Sequence, residues 1–136
     1  MRVVFDSNIY ISAFILPASS ADKAIQRILD GHDRLLISKN ILDEVLTTLA
    51  RKFNRDAEAL SRTALFLSEL AEIVHPIEPV RVFSDEPDNR ILECAIAGRA
   101  KAIVTGDKAM LAVEISHGVR FLSLREYIRR LEADSR

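Results

Sequence analysis

The sequence contains very little cysteine and few aromatic side chains. Cys94 is the only cysteine among 136 residues, tryptophan is absent, and aromatic residues make up 6% of the chain. A single cysteine excludes an internal disulfide, so a reducing cytoplasm is the simplest compartment. Because aromatic residues are few, the core is expected to consist mainly of leucine, isoleucine, valine and alanine.

Long hydrophobic runs are also absent. Residues 7–21 carry no charge, but this stretch contains serines and Pro17 and is shorter than a membrane span. The opening residues, MRVVFDS, have no apolar segment ahead of the first acid, so neither a secretory signal nor a membrane segment is expected. The formal net charge is −1, which is not typical of a strongly basic nucleic-acid binder.

Short apolar runs and amphipathic stretches alternate along the chain. Strands are predicted at residues 2–5, 34–38, 102–105 and 119–122, with at most one more short strand in the proline-containing stretch 73–83. Helices are predicted directly after the first strand, from residue 19 or 20 up to Gly31, over residues 39–52, 55–72 and 87–97, and in a short turn from Asp107. Ser123 and Glu126 form a capping-box pattern, which predicts a last helix to about residue 131 with the final ADSR frayed.

This order of elements predicts one α/β domain over residues 1–136. Strands that alternate with helices form a mostly parallel sheet, here of four to five strands, with helices on both faces. There is no internal repeat, low-complexity tract or linker. In such sheets, binding sites lie outside the carboxyl ends of the strands.

Four acidic residues stand out, and three of them lie at strand or helix ends that such a fold brings to one rim. Asp6 directly follows the first strand, and Asp107 is the second residue after the strand at 102–105. Asp88 lies at the start of the helix at 87–97, and Glu44 lies in the first half of the helix at 39–52. We therefore take these four residues as a candidate site.

Each acid also has a simpler interpretation. Asp6 and Asp107 are both favourable N-cap residues for the helices that follow them. Asp88 could serve only to complement the positive end of its helix dipole. A glutamate on a helix, such as Glu44, is usually exposed to solvent. The joint order of the four residues favours a shared site.

Clustered carboxylates suit one kind of chemistry. Carboxylates held close together repel one another and stay ionised together when a cation lies among them. Oxygen ligands of this kind suit Mg²⁺ or Mn²⁺. Such an ion can activate water and stabilise charge on a phosphoryl group, which indicates hydrolysis of phosphodiester bonds.

Four motifs in this order resemble the PIN-domain nucleases over nearly the whole chain. The motifs are VFDSN at 4–8, ILDEV at 41–45, DEPDNRILECA at 85–95 and IVTGDKAML at 103–111. The form of the third and fourth motifs is most similar to VapC-like toxins of toxin–antitoxin systems. The resemblance implies a three-layer α/β/α sandwich, a pocket for Mg²⁺ or Mn²⁺, cleavage of single-stranded RNA, frequent homodimers and inhibition by a cognate antitoxin.

The resemblance also assigns site residues. The family's acids fall on Asp6, Glu44, Asp88 and Asp107, and its supporting polar residues fall on Asn8 and Thr105. The third motif leaves two alternatives open, because many relatives have an acid where this chain has Asn89. Either Asp88 supplies the carboxylate one residue earlier, which we favour, or Asp85 contributes and Asn89 coordinates through its amide oxygen.

Other readings of the same residues differ in chemistry. A phosphohydrolase with Asp6 as covalent nucleophile needs an acid two residues later, where this chain has Asn8. A non-catalytic module that binds metal or RNA would keep the pocket without turnover. The basic residues Arg51, Lys52 and Arg55 either guide RNA or form a solvated face. Cys94 is expected in the core, and the three histidines have no metal-ligand spacing.

Overall fold

We describe the fold from a computed structural model of the chain. The structure describes residues 1–134, with side chains described to residue 130. The predicted fraying of ADSR therefore falls partly outside the described residues, since residues 135–136 lie beyond them, whereas residues 133–134 are helical.

Strands and helices alternate along most of the chain. The strands are β1 (Arg2–Phe5), β2 (Arg34–Ser38), β3 (Glu72–Val74), β4 (Ala102–Val104), β5 (Ile115–Ser116) and β6 (Val119–Leu122). The helices are α1 (Ser7–Ile15), α2 (Ser20–Leu29), α3 (Lys39–Phe53), α4 (Ala57–Leu70), α5 (Glu86–Ala97), α6 (Lys108–Val113) and α7 (Leu124–Asp134).

All six strands form one sheet in the order β3-β2-β1-β4-β6-β5. Every pairing is parallel except that of β5 with β6. From β1 the chain first builds outward through β2 and β3, and then returns to the other side of β1 to build β4 and β6. The order therefore reverses between β1 and β4, and in parallel sheets such a switch point is where a crevice opens at the carboxyl ends.

Both faces of the sheet are covered. Consecutive strand residues point to opposite faces, and Val3, Val4 and Phe5 are all 0% exposed. Helix α5 packs closely enough that a Cβ atom on Gly98 would lie 2.6 Å from Leu36 Cδ1, so a larger residue there would force the Leu36 side chain to move. Each large aliphatic side chain buried in this way contributes about 1.5–3 kcal/mol.

The predicted fold class is confirmed, as a mostly parallel sheet within an α/β chain, but the predicted strand number of four to five is too low. The short strand β3 was allowed for, whereas β5 was missed because two residues carry no alternation pattern. The helix predicted over 55–72 ends at Leu70, so that Glu72 can pair with Leu36 in the sheet. The capping box is present, since Ser123 N–H donates to Glu126 and Glu126 N–H to the Ser123 hydroxyl, and α7 runs three residues further than predicted.

Candidate active site

The switch point between β1 and β4 carries two of the acids. Asp6 N–H donates to the Val104 carbonyl at 2.9 Å, so Asp6 extends the β1–β4 pairing and lies at its carboxyl end. The buried Thr105 hydroxyl donates to Asp6 Oδ2 at 2.6 Å and accepts from Asp107 N–H at 3.0 Å. One hydroxyl therefore links the segments that follow the two central strands and fixes Asp6 relative to Asp107.

Asp6 and Asp107 are also helix caps, as their simpler interpretation predicted. Asp6 Oδ1 accepts from Asn8 N–H at 3.3 Å at the start of α1, and Asp107 Oδ1 accepts from Met110 N–H at 3.0 Å at the start of α6. Burial raises the pKa of Asp6, although the bonds from Thr105 and Asn8 oppose that shift. Capping holds each carboxyl group in a fixed orientation at the rim of the sheet.

Glu44 reaches the same region from α3. This helix begins directly after β2, where the Ser38 hydroxyl accepts from Ile41 N–H at 3.3 Å. Glu44 is half-buried, and its Oε2 accepts from the Ser7 hydroxyl at 2.8 Å. Because Ser7 is the residue after Asp6, this bond brings the α3 carboxylate next to the end of β1.

Asp88 faces the other acids from the first turn of α5. Its side chain is 7% exposed. Burial and then the negative charges of Asp107, Asp85, Asp6 and Glu44 raise the pKa of Asp88 to about 7. Asp88 therefore lies within electrostatic range of each of the other three predicted acids.

None of these four acids forms an ion pair with a lysine, arginine or histidine in the described part of the chain. Carboxylate oxygens are the donors that a hard divalent cation prefers, so the donor set fits Mg²⁺ or Mn²⁺ by its chemistry. Among the side chains that the structure describes, however, no three from acidic, histidine or cysteine residues already form a compact ligand group. The acids converge without forming a closed cage.

Asn89 performs a different task from its neighbour. It is fully buried, its Oδ1 accepts from Val82 N–H at 3.0 Å and Phe83 N–H at 2.8 Å, and its Nδ2 donates to the Phe83 carbonyl at 2.8 Å. A step of one residue turns a helical side chain by about 100°, so Asp88 faces the acids while Asn89 holds the preceding loop. Asp85 is exposed at the N-cap position and makes no capping bond.

The remaining supporting residues, Asn8 and Thr105, differ from each other in burial. Asn8 is exposed on α1, whereas Thr105 is fully buried between the two strand-end acids. Sequence reasoning missed Ser7, which holds Glu44, and Glu93, whose Oε2 accepts from Val80 N–H at 2.9 Å. The acid in an apolar stretch of α5 was the available signal for Glu93.

The fold and site define an α/β protein with an acidic site at the switch point of a parallel sheet. A sequence model of the PIN domain matches residues 2–109. The chain therefore belongs to the PIN domain family. PIN-domain proteins are nucleases, which places the chain among hydrolases, and PIN nucleases generally use divalent metal ions.

The chain is also similar to one curated protein and, in fold, to chains of solved structures. The chain is 28% identical over 117 residues to the uncharacterized protein MJ1680 of Methanocaldococcus jannaschii, covering 83% of this chain and 75% of the relative. VapBC2 from Rickettsia felis, solved bound to a DNA fragment from its promoter, contains a chain of similar fold, with a TM-score of 0.64 at 18% identity, covering 90% of this chain and 98% of that one. VapBC-1 from nontypeable Haemophilus influenzae also has a TM-score of 0.64, at 16% identity, covering 92% and 99%.

None of the helices described is long and apolar enough to be a membrane span.

Proposed function

We propose that this chain is a Mg²⁺- or Mn²⁺-dependent endoribonuclease that hydrolyses phosphodiester bonds of single-stranded RNA. The observation that carries the proposal is the convergence of Asp6, Glu44, Asp88 and Asp107 at the switch point, with no cationic side chain paired to them among the described residues. A substrate phosphate would add more negative charge to this rim, and a cation bound among the acids would relieve the repulsion between the two.

The four acids would hold the ion, and their neighbours would orient them. Thr105 and the Asn8 N–H hold both oxygens of Asp6, while Ser7 holds one oxygen of Glu44. When bound, such an ion supplies charge stabilisation on the phosphate oxygens and activates water for attack. Because Mg²⁺ commonly retains waters and shares its ligands with substrate phosphates, an incomplete protein cage suits this role.

The cellular role we propose is that of the toxin in a toxin–antitoxin pair. Support comes from the likeness of fold to chains of two VapBC complexes. An antitoxin partner, a homodimer and a cytoplasmic location belong to the same proposal. Co-expression with the product of a small neighbouring gene, followed by co-purification and inhibition of RNA cleavage, tests the antitoxin directly.

Asp6→Asn tests the activity. The substitution keeps the side-chain shape and an oxygen that can accept from Thr105, but removes the charge, so we expect RNA cleavage in Mn²⁺ to fall by a factor of roughly a thousand or more. Cleavage of a labelled single-stranded RNA measures this loss, and circular dichroism verifies that the fold is retained.

Glu69→Gln provides the matched control, because Glu69 is an exposed acid on α4. We expect this variant to cut RNA at the parent rate. Cleavage by Asp6→Asn at the parent rate would show the assignment to be wrong. A parent chain that binds Mn²⁺ but cuts no RNA would instead favour the non-catalytic module, the candidate that the open arrangement of the acids also permits.

A further inference from the structure

Helices α1 and α3 lead from the acids to a second feature of the surface. Near the acids the Ser7 hydroxyl of α1 donates to Glu44 of α3 at 2.8 Å. Phe14 lies seven residues after Ser7 on α1, and Arg51 lies seven residues after Glu44 on α3. Seven residues are close to two helical turns, so each pair shares one face of its helix at a separation of about 10 Å.

A cavity of about 290 Å³ lies where α1 and α3 meet α4. Its floor is apolar and includes Phe14, Leu49 and Phe66, with the two phenyl rings edge to face at a centroid distance of 6.1 Å. Arg55 and Arg62 line its edge. Arg62 pairs with Glu58 at 3.0 Å, but both side chains are largely exposed, and such a pair exchanges readily for another anion.

The cavity adjoins a basic segment of a nearly neutral molecule. Residues 51–62 contain four basic and two acidic side chains, whereas the whole chain has a net charge of −1. Residues 120–130 form another basic stretch, with four basic and one acidic side chain. Because Arg55 and Arg62 of the first segment line the cavity, an anionic ligand there meets favourable charge.

We propose that this cavity is a subsite for single-stranded RNA, in which a nucleotide flanking the cleaved bond places its base against Phe14 and Phe66 and its phosphates near Arg55 and Arg62. The inference rests on the proposed function, since it assigns a path to that substrate. Aromatic side chains combined with a basic groove form the usual platform for single strands.

Two observations favour RNA over an acidic peptide. The cavity is lined by Phe14 of α1 and Leu49 of α3, and the same two helices carry Ser7 and Glu44 of the acidic site. The separation of about 10 Å corresponds to about three stacked nucleotides at about 3.4 Å each, so a single strand can reach both ends.

The test measures RNA binding without cleavage. Fluorescence anisotropy of labelled oligouridylates is recorded in chelator, with a dinucleotide and an octanucleotide as probes. The variant carries Arg55→Glu and Arg62→Glu. Its matched control carries Arg125→Glu and Arg129→Glu, which reverse two exposed arginines on α7 and give the same net charge.

We expect the Arg55→Glu/Arg62→Glu chain to bind the octanucleotide at least tenfold more weakly than the control, with a shallower salt dependence, and to bind the dinucleotide equally. Phe66→Leu keeps an apolar side chain but removes the ring. We expect it to lose about tenfold in affinity for the octanucleotide while binding an abasic strand of equal length like the parent.

Several results would overturn the subsite. The first is equal binding of the octanucleotide by the variant and the control. The second is a parent chain that binds no octanucleotide in chelator. The third is a synthetic acidic peptide rich in leucine that binds through Arg55 and Arg62 while RNA does not. Cleavage in Mn²⁺ is measured separately. If the parent chain cuts RNA but the Arg55→Glu/Arg62→Glu substitutions do not weaken RNA binding, the nuclease function stands and the subsite is wrong. If the substitutions weaken binding but the parent chain cuts no RNA, only the nuclease function is wrong.

Discussion

Asp6 and Asp107 each combine two tasks that are usually assigned to different residues. One oxygen of each caps a helix, and Thr105 ties the remaining oxygen of Asp6 to the backbone of Asp107. An N-cap carboxylate is held by the helix it begins, so its position survives removal of any ligand. At the level of single residues, capping is therefore how the chain fixes charges that repel one another.

Asp88 lacks such compensation, and its charge should destabilise the metal-free protein. Its pKa is about 7 in the fold against an ordinary value of 3.8, so the folded state binds more protons than the unfolded state between these values. Stability from this group is therefore lost as pH rises from about 4 to about 7. In chelator, we expect Asp88→Asn and the parent to have the same melting temperature near pH 4. At pH 7 and above, we expect Asp88→Asn to have the higher melting temperature.

Scanning calorimetry over that pH range measures the difference between Asp88→Asn and the parent. Glu69→Gln is the control, since this exposed acid lies on α4 away from the site. A difference in melting temperature that stays constant with pH, or that shrinks toward neutrality, would contradict the repulsion assigned to Asp88.

At the scale of elements, the N-terminal turn of α5 joins the site to the loop before it. Asn89 makes three hydrogen bonds to residues 82 and 83, and Glu93 accepts from Val80 N–H one turn later. Glu93 also pairs with Arg90 at 2.9 Å. The loop over residues 80–83 is therefore attached to the same helix that carries Asp88.

Asn89→Ala should loosen this attachment. The substitution leaves two N–H groups and one carbonyl without their side-chain partner, and because Val82 is partly exposed, water replaces some of what is lost. We expect a loss of about 2 kcal/mol in the free energy of unfolding by urea. Hydrogen exchange should accelerate at the amides of Val82 and Phe83.

Gln26→Ala is the control, an exposed amide side chain on α2 whose removal should leave both measurements unchanged. Amides of Val82 and Phe83 that remain as protected in Asn89→Ala as in the parent would show that the loop is held by other contacts.

Long periodic elements could be predicted from the sequence, and contacts between distant segments could not. The stripe on α3 and the caps at Ser19 and Asp107 depend on neighbours within four residues, so the pattern contains them. The bond from Ser7 to Glu44 joins residues 37 apart, and that from Thr105 to Asp6 joins residues 99 apart. Which of Asp88 and Asn89 faces the acids depended on the helix register, which no local signal specifies.

At the scale of the whole molecule, a small net charge conceals a separation of charge. Carboxylates gather at the switch point, while basic residues are concentrated elsewhere, including the 51–62 segment that runs from the C-terminal end of α3 into α4. The near-zero total that argued against a nucleic-acid binder is therefore a sum over regions of opposite sign. For association with an anion, local charge matters more than the total.

The same concentration of negative charge predicts that divalent ions stabilise the entire fold. An ion that binds the native state alone raises the free energy of unfolding by about 2.7 kcal/mol when its concentration is about a hundred times its Kd. For a chain of this size, that gain corresponds to a rise of roughly 10 °C in melting temperature. We expect this rise on adding Mn²⁺ or Mg²⁺ to chelator-treated protein.

General screening by salt would also relieve repulsion, so the comparison must be made in KCl of equal ionic strength, where we expect a much smaller rise. Site binding makes a second demand that screening does not. Asp6→Asn and Asp88→Asn should each lose most of the rise produced by Mn²⁺, whereas Glu69→Gln should retain it. Two results would show that no cation binds at the site: a melting temperature that does not change in millimolar Mn²⁺, or an equal rise in the parent and all three variants. The reason is that carboxylates sharing one rim must respond to an ion that binds among them.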